Sequence, residues 1–277
     1  SRNVMTVRLA RDLGMPMIEE YSRLFGVYDD MPHVLAMALG AGETTVMRLT
    51  AAYATIANGG RRITPTLIDR IQDRYGDTIY RHDERICEAC QQADWHGQAA
   101  PMIIDSRAQV LDPMTAYQIT SMMEGVVQRG TGTAVRAVGR PVAGKTGTTN
   151  DYKDAWFVGF TPELAVGVYV GYDTPRNMGS SSTGGELAAP IFADFVSAAL
   201  EGVPPTRFQV PQGMRTDWID PATGVGIVAG GSGVQEAFKP GTGPNLMTSV
   251  IGVNSRAFDN IQTGANQQPS FGTGGLF

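Results

Sequence analysis

The tightest constraint on the fold lies between residues 155 and 172. Two runs rich in β-branched and aromatic residues, 155–160 and 165–172, are separated only by Thr161-Pro162-Glu163-Leu164. A parallel pair needs a crossover of roughly a dozen residues or more, whereas four residues close an antiparallel hairpin. A third strand-like run precedes them at 145–149. Strands joined this tightly, with helical segments on either side, point to an α+β class.

The helical segments are marked by periodicity and end signals. Met5, Leu9 and Leu13 recur at i, i+4, i+8 until Gly14 and Pro16, and Ile18, Tyr21 and Phe25 form a second stripe. Val46, Leu49, Tyr53 and Ile56 form a third, closed by Asn58-Gly59-Gly60. Asp112-Pro113 reads as an N-cap followed by proline at the first helical position, with Ile119, Met122, Met123, Val126 and Val127 as the buried stripe down to Gly130. A last helix carries Leu187, Ile191, Phe195 and Ala198 on one face and ends at Gly202 and Pro204-Pro205. Residues 66–81 predict a hairpin about Tyr75-Gly76-Asp77. Residues 87–100 are polar and aperiodic. Beyond Phe208 the pattern is irregular, with a turn expected at Asp220-Pro221-Ala222-Thr223-Gly224.

The expected organisation is a domain over 1–205 with a polar insertion at about 82–111, an extension over 206–259, and a disordered tail over 260–277 rich in glycine, asparagine and glutamine. The chain opens Ser1-Arg2-Asn3 and runs straight into helical pattern, which reads as a start within a domain. No apolar run approaches the roughly 18 residues of a membrane span, and no signal peptide is present, so any anchor is expected upstream. The 22 basic and 27 acidic residues give a net charge of -5, which offers no attraction for nucleic acid.

Gly139-Arg140-Pro141-Val142-Ala143-Gly144-Lys145-Thr146 fits the phosphate-loop pattern G-x-x-x-x-G-K-[ST], and 166–173 could serve as the accompanying acidic strand. A phosphate loop works by opening a helix whose first N–H groups face the phosphates. In this chain Gly147-Thr148-Thr149-Asn150 comes next, a poor helix start, and no crossover helix fits before residue 166. The other reading takes Lys145-Thr146-Gly147 as the K-T-G of serine transpeptidases and β-lactamases, with Ser1-Arg2-Asn3 as the S-x-N that precedes it.

On these motifs the chain resembles the transpeptidase domain of bifunctional, class A penicillin-binding proteins. The resemblance runs through residues 51–60, Arg129-Gly130-Thr131-Gly132-Thr133-Ala134, 144–151, 154–162, and Gly184-Gly185 before Ala188-Ala189-Pro190. It implies a serine β-lactamase/D,D-transpeptidase-like fold, with a five-stranded antiparallel sheet packed by helices beside an all-helical part. The implied activity is peptidoglycan D,D-transpeptidation through a serine acyl-enzyme, with stem peptides and β-lactams as partners and no cofactor or metal. An upstream glycosyltransferase domain, a membrane anchor and a site on the periplasmic face of the inner membrane are implied with it.

The same resemblance implies that Ser1 and Lys145 relay the proton to the departing amine and that the Asn3 amide holds the substrate backbone. The hydroxyls of Thr146 and Thr148 hold the terminal carboxylate, and Gly147 lets an extended peptide lie against the strand. The nucleophile and its lysine form S-x-x-K in this family. The chain has three lysines, Lys145, Lys153 and Lys239, preceded three residues earlier by Val142, Asn150 and Glu236, so it contains no S-x-x-K and is expected to be inactive alone.

Alternatives are a β-lactamase or D,D-carboxypeptidase of the same fold, a catalytically dead scaffold, and, most distant, a phosphate-loop nucleotide-binding protein. Cys87 and Cys90, with His82 and His96 nearby, read as a local disulfide, free thiols or a zinc site. Met122 and Met123 read as core packing.

Overall fold

The computed structural model describes residues 2–85, 87, 90, 94, 96, 97, 99–101, 103–228 and 233–244. Ser1, half of the polar stretch 87–100 and the 260–277 tail lie outside them. The chain divides into two compact units, Ser1–Val210 and Pro211–Phe277.

The first unit opens with α1 (Asn3–Leu13) and α2 (Met15–Leu24), separated by Gly14 at φ 85. Ala10, Met15 and Met31 make a small core of their own, flanked by Ile18, Tyr28 and Met37. The Met5, Leu9, Leu13 stripe faces outward instead, with Leu9 60% exposed. α3 (Val46–Ala57) starts at Thr45, whose side chain accepts from Arg48 N, and leads to β1 (Arg70–Gln72) and β2 (Thr78–Arg81), an antiparallel hairpin exposed along its length. α4 (Pro113–Arg129) is capped by Asp112, whose carboxylate accepts from Thr115 N at 3.0 Å.

β3 (Ala143–Thr148), β4 (Asp154–Phe160) and β5 (Ala165–Gly171) then form one antiparallel sheet in the order β3-β4-β5. The described residues hold three strands of this sheet where the family resemblance implied five. A helical turn at Gly184–Ala188 runs into α5 (Ala189–Ala199). Because side chains alternate along a strand, the two sheet faces bury different partners. On one face Phe157 meets Phe192 of α5 edge-on at 4.7 Å, among Val127, Val135, Val142, Ala188 and Val196. On the other, Ala143 and Phe160 pack with Met123 of α4 and with Tyr53 and Ile56 of α3. Truncating Phe157, fully buried, would cost about 3–5 kcal/mol.

Three expectations change with the fold. α5 buries Ala189, Phe192, Ala193 and Val196, leaving Ile191 and Phe195 49% and 54% exposed, because a helix apolar on nearly every side does not announce its inner face. Met123 is in the core but Met122 is 53% exposed, since adjacent helix positions point about 100° apart. The second unit is not irregular: β6 (Arg215–Ile219) pairs with β7 (Val234–Phe238) in antiparallel register, burying Ile219, Ala237 and Phe238. The expected turn comes after β6, where Asp220 accepts from Ala222 N at 2.8 Å and from the Thr223 hydroxyl at 3.0 Å.

Candidate active site

Lys145 and Thr146 lie inside β3, not at the start of a helix, which removes the phosphate-loop geometry. Among the described residues β3 has a strand neighbour on one side only, and its outer edge has no strand partner. Val158 stands opposite Lys145, Phe157 opposite Thr146 and Trp156 opposite Gly147. Lys145 and Gly147 therefore share one face, and Thr146 and Thr148 the other.

The half-buried Lys145 ammonium donates to Thr146 O at 2.8 Å and reaches Thr146 Oγ1 at 3.4 Å. Burial pushes its pKa below the ordinary lysine range. Thr146 Oγ1 is also 2.6 Å from Thr131 Oγ1, a hydroxyl in the loop after α4. Thr148 Oγ1 accepts from Gly184 N at 3.0 Å, which leaves the Thr148 O–H aimed elsewhere as a donor. Gly184 must be glycine: an added Cβ would stand 2.5 Å from Gly147 O and 3.1 Å from Gly147 N. The turn that opens α5 is thus seated directly on the K-T-G strand.

The loop between β3 and β4 is held in an unusual conformation. Asp151 and Tyr152 both have positive φ, 62 and 53, and their carbonyls accept from Asn177 Nδ2 at 2.6 Å and Met178 N at 3.0 Å. Two consecutive non-glycine residues in this region are costly unless their surroundings hold them.

Of the residues singled out from sequence, Lys145, Thr146, Gly147 and Thr148 are brought together on β3. Asn3 is the exposed first residue of α1, and no hydrogen bond among the described residues joins it to β3. Ser1 lies outside the described residues. Cys87 and Cys90 form a disulfide, and His82 Nε2 sits 3.0 Å from Thr64 O. No group of three or more potential metal ligands occurs among the described residues. Thr131 and Gly184, which the sequence offered only within stretches that carry the family resemblance, were given no site role by motif reading. Their signals were the glycines flanking Thr131 and the Gly184-Gly185 pair.

The chain has relatives among known proteins. Residues 1–197 match the penicillin-binding protein transpeptidase domain. The chain is 46% identical over 241 residues to penicillin-binding protein 1A of Rickettsia bellii, covering 86% of this chain and 30% of that protein. It is 40% identical over 216 residues to penicillin-binding protein 1A of Neisseria lactamica, covering 77% of this chain and 25% of the relative. The crystal structure of penicillin-binding protein 1A from Haemophilus influenzae superposes with a TM-score of 0.71 at 26% identity, over 88% of this chain and 39% of that one. The chain therefore spans about a third or less of the length of the two sequence relatives. With the lysine, hydroxyls and open strand edge standing where the matched domain runs, the chain belongs to the penicillin-binding protein transpeptidase domain family.

Proposed function

We propose that this chain is the C-terminal part of a class A transpeptidase domain and that, within the whole protein, it works as a peptidoglycan D,D-transpeptidase. The observation that carries this is β3: an open strand edge with a desolvated lysine beside it and threonine hydroxyls along it. A stem peptide ending in D-Ala-D-Ala adds to that edge as an extended strand, and its terminal carboxylate meets the Lys145 ammonium and the Thr146 and Thr148 hydroxyls.

The serine oxygen comes from an S-x-x-K segment upstream of Ser1. It attacks the carbonyl carbon of the penultimate residue, the C–N bond breaks, and D-alanine leaves with a proton relayed through Ser1 and Lys145. An amine of a neighbouring peptide then displaces the serine oxygen. Burial of Lys145 narrows the gap between its charged and neutral forms, which suits a group that takes and returns a proton. The Asn3 amide supplies one donor and one acceptor for the peptide backbone. The glycosyltransferase domain, the membrane anchor and the placement on the periplasmic face of the inner membrane belong to the same proposal.

A fluorescent penicillin tests it. Residues 1–277 alone should take no covalent label, and a protein extended upstream through S-x-x-K should be labelled. Lys145→Ala in that extended protein should slow labelling about a hundred- to ten-thousandfold with little change in melting temperature. Denaturation-resistant labelling of residues 1–277 alone would overturn the assignment of the nucleophile.

A further inference from the structure

We infer that Cys87 and Cys90 form a thiol–disulfide exchange site, opened and reclosed by an external protein dithiol while the chain stays folded; this does not rest on the transpeptidase reading. The bond joins residues only three apart and ties none of the named helices or strands to another. The stabilisation that a cross-link gives by restricting the unfolded chain grows with the loop it closes. A bond this local sits at the bottom of that scale.

The polar insertion is held to the domain by other means at both ends. At its start, His82 N donates to Asp69 O at 2.9 Å, and His82 Nε2 lies 3.0 Å from Thr64 O. At its end, Arg62 N donates to Ala108 O at 2.8 Å and Val110 N to Gly60 O at 2.9 Å, while Arg61 Nη1 donates to Asp105 O and Arg107 O, each at 3.2 Å. Arg85 grips the Asp83 carboxylate through Nε at 2.8 Å and Nη2 at 2.5 Å, and Arg107 grips Asp105 in the same way. The two pairs also attract across the neck: Arg85 and, from the other side, Arg107 lower the Asp83 pKa. Opening the disulfide leaves all of these contacts in place.

The two sulfurs differ in access, because Cys90 is exposed and Cys87 half-buried. Exchange needs a thiolate to reach one sulfur of the bond, so Cys90 Sγ is the atom attacked. The incoming sulfur bonds to Cys90, the Cys87–Cys90 bond breaks, and Cys87 leaves as a thiolate that takes a proton. The partner's second thiolate then displaces Cys90 from the mixed disulfide. Two electrons have passed to this protein, which holds two thiols, and the partner departs as a disulfide. The reverse sequence recloses the bond. Cys90 N donates to Cys87 O at 3.2 Å, a turn that keeps the two residues side by side for that step.

The test treats the full-length protein, folded and in denaturant, with about 1 mM dithiothreitol, alkylates free thiols and maps them by mass. Cys87 and Cys90 should become alkylated in the folded protein at a rate within about tenfold of the denatured one, with the melting temperature of the reduced protein within about 3 °C of the oxidised. Folded-state reduction slower by more than about a hundredfold, or a larger fall in melting temperature, would make the bond a structural staple and overturn the proposal. The direction of attack is read with oxidised glutathione: Cys90 in Cys87→Ser should form the mixed disulfide at least about fivefold faster than Cys87 in Cys90→Ser. Equal or reversed rates would overturn the assignment of Cys90 as the attacked sulfur.

Discussion

Gly184→Ala probes how closely the start of α5 governs the K-T-G strand. In the native structure Thr183 caps the turn by accepting from Glu186 N at 3.2 Å, and Gly184 N donates to Thr148 Oγ1 at 3.0 Å. The new methyl group would stand 2.5 Å from Gly147 O, 3.1 Å from Gly147 N and closer still to Trp156 O. All three are backbone atoms of two paired strands, so none can rotate aside. Restoring an ordinary separation of roughly 3.5 Å requires about 1 Å of movement. Either β3 yields, displacing Gly147 and its neighbours, or the turn withdraws and Gly184 N leaves the Thr148 hydroxyl. Overpacking of this kind costs about 1–3 kcal/mol, and misplacement of reacting groups by about 1 Å costs about a hundredfold in rate. The assay is the second-order rate of acylation of the full-length protein by a fluorescent penicillin, with thermal melting followed in parallel. A variant that melts lower yet acylates within about threefold of wild type would refute the reasoning, because the clash would then have been relieved without moving the site.

Two further outcomes are expected. Arg140 Nη2 donates to Leu200 O at 3.1 Å and Val203 O at 2.9 Å, while Nη1 lies 3.8 Å from the Glu163 carboxylate, a Coulombic contact with no hydrogen bond. Arg140→Ala should therefore lower stability to urea by about 2–4 kcal/mol, and a loss under about 0.5 kcal/mol would exclude this clamp on the end of α5. Burial lowers the Lys145 pKa from the ordinary lysine value of 10.5. The ammonium exists below that pKa and is lost above it, so affinity for a carboxylate-bearing β-lactam should weaken with rising pH earlier than an ordinary lysine would allow. Lys145→Arg should move that fall to higher pH, and a pH profile that does not move would separate it from Lys145 titration.

Much of the local structure was legible in the sequence because its signals are short-ranged. Asp112-Pro113 marks the start of α4 through one side chain and one ring, and Thr161-Pro162-Glu163-Leu164 leaves β4 and β5 no arrangement but an antiparallel hairpin. The hairpin of β1 and β2 was readable although all its residues are exposed, because Tyr75-Gly76-Asp77 carries the turn. The hairpin of β6 and β7 was not. Its strands carry Arg215, Asp217, Gln235 and Glu236, their apolar residues sit side by side as in Trp218-Ile219 and Ala237-Phe238 without alternating, and residues 220–233 intervene, so pairing leaves no periodic trace.

The site divides the same way. Lys145-Thr146-Gly147 fits two motifs, and the residues after it separate them: glycine and β-branched side chains build a strand where a phosphate loop needs a helix. The sequence by itself thus determined that β3 is a strand, that it joins an antiparallel sheet and that its lysine and threonines alternate between faces. Only the tertiary structure decided that β3 has a strand partner on one side only among the described residues, which side of the uniformly apolar α5 turns inward, and that Gly184 and Thr131 close on Thr148 and Thr146. The physical reason is that backbone preference and periodicity act over a few neighbouring residues. The hydroxyl pair spans 15 residues and the glycine seat 36, and such contacts exist only once α4, the sheet and α5 have packed.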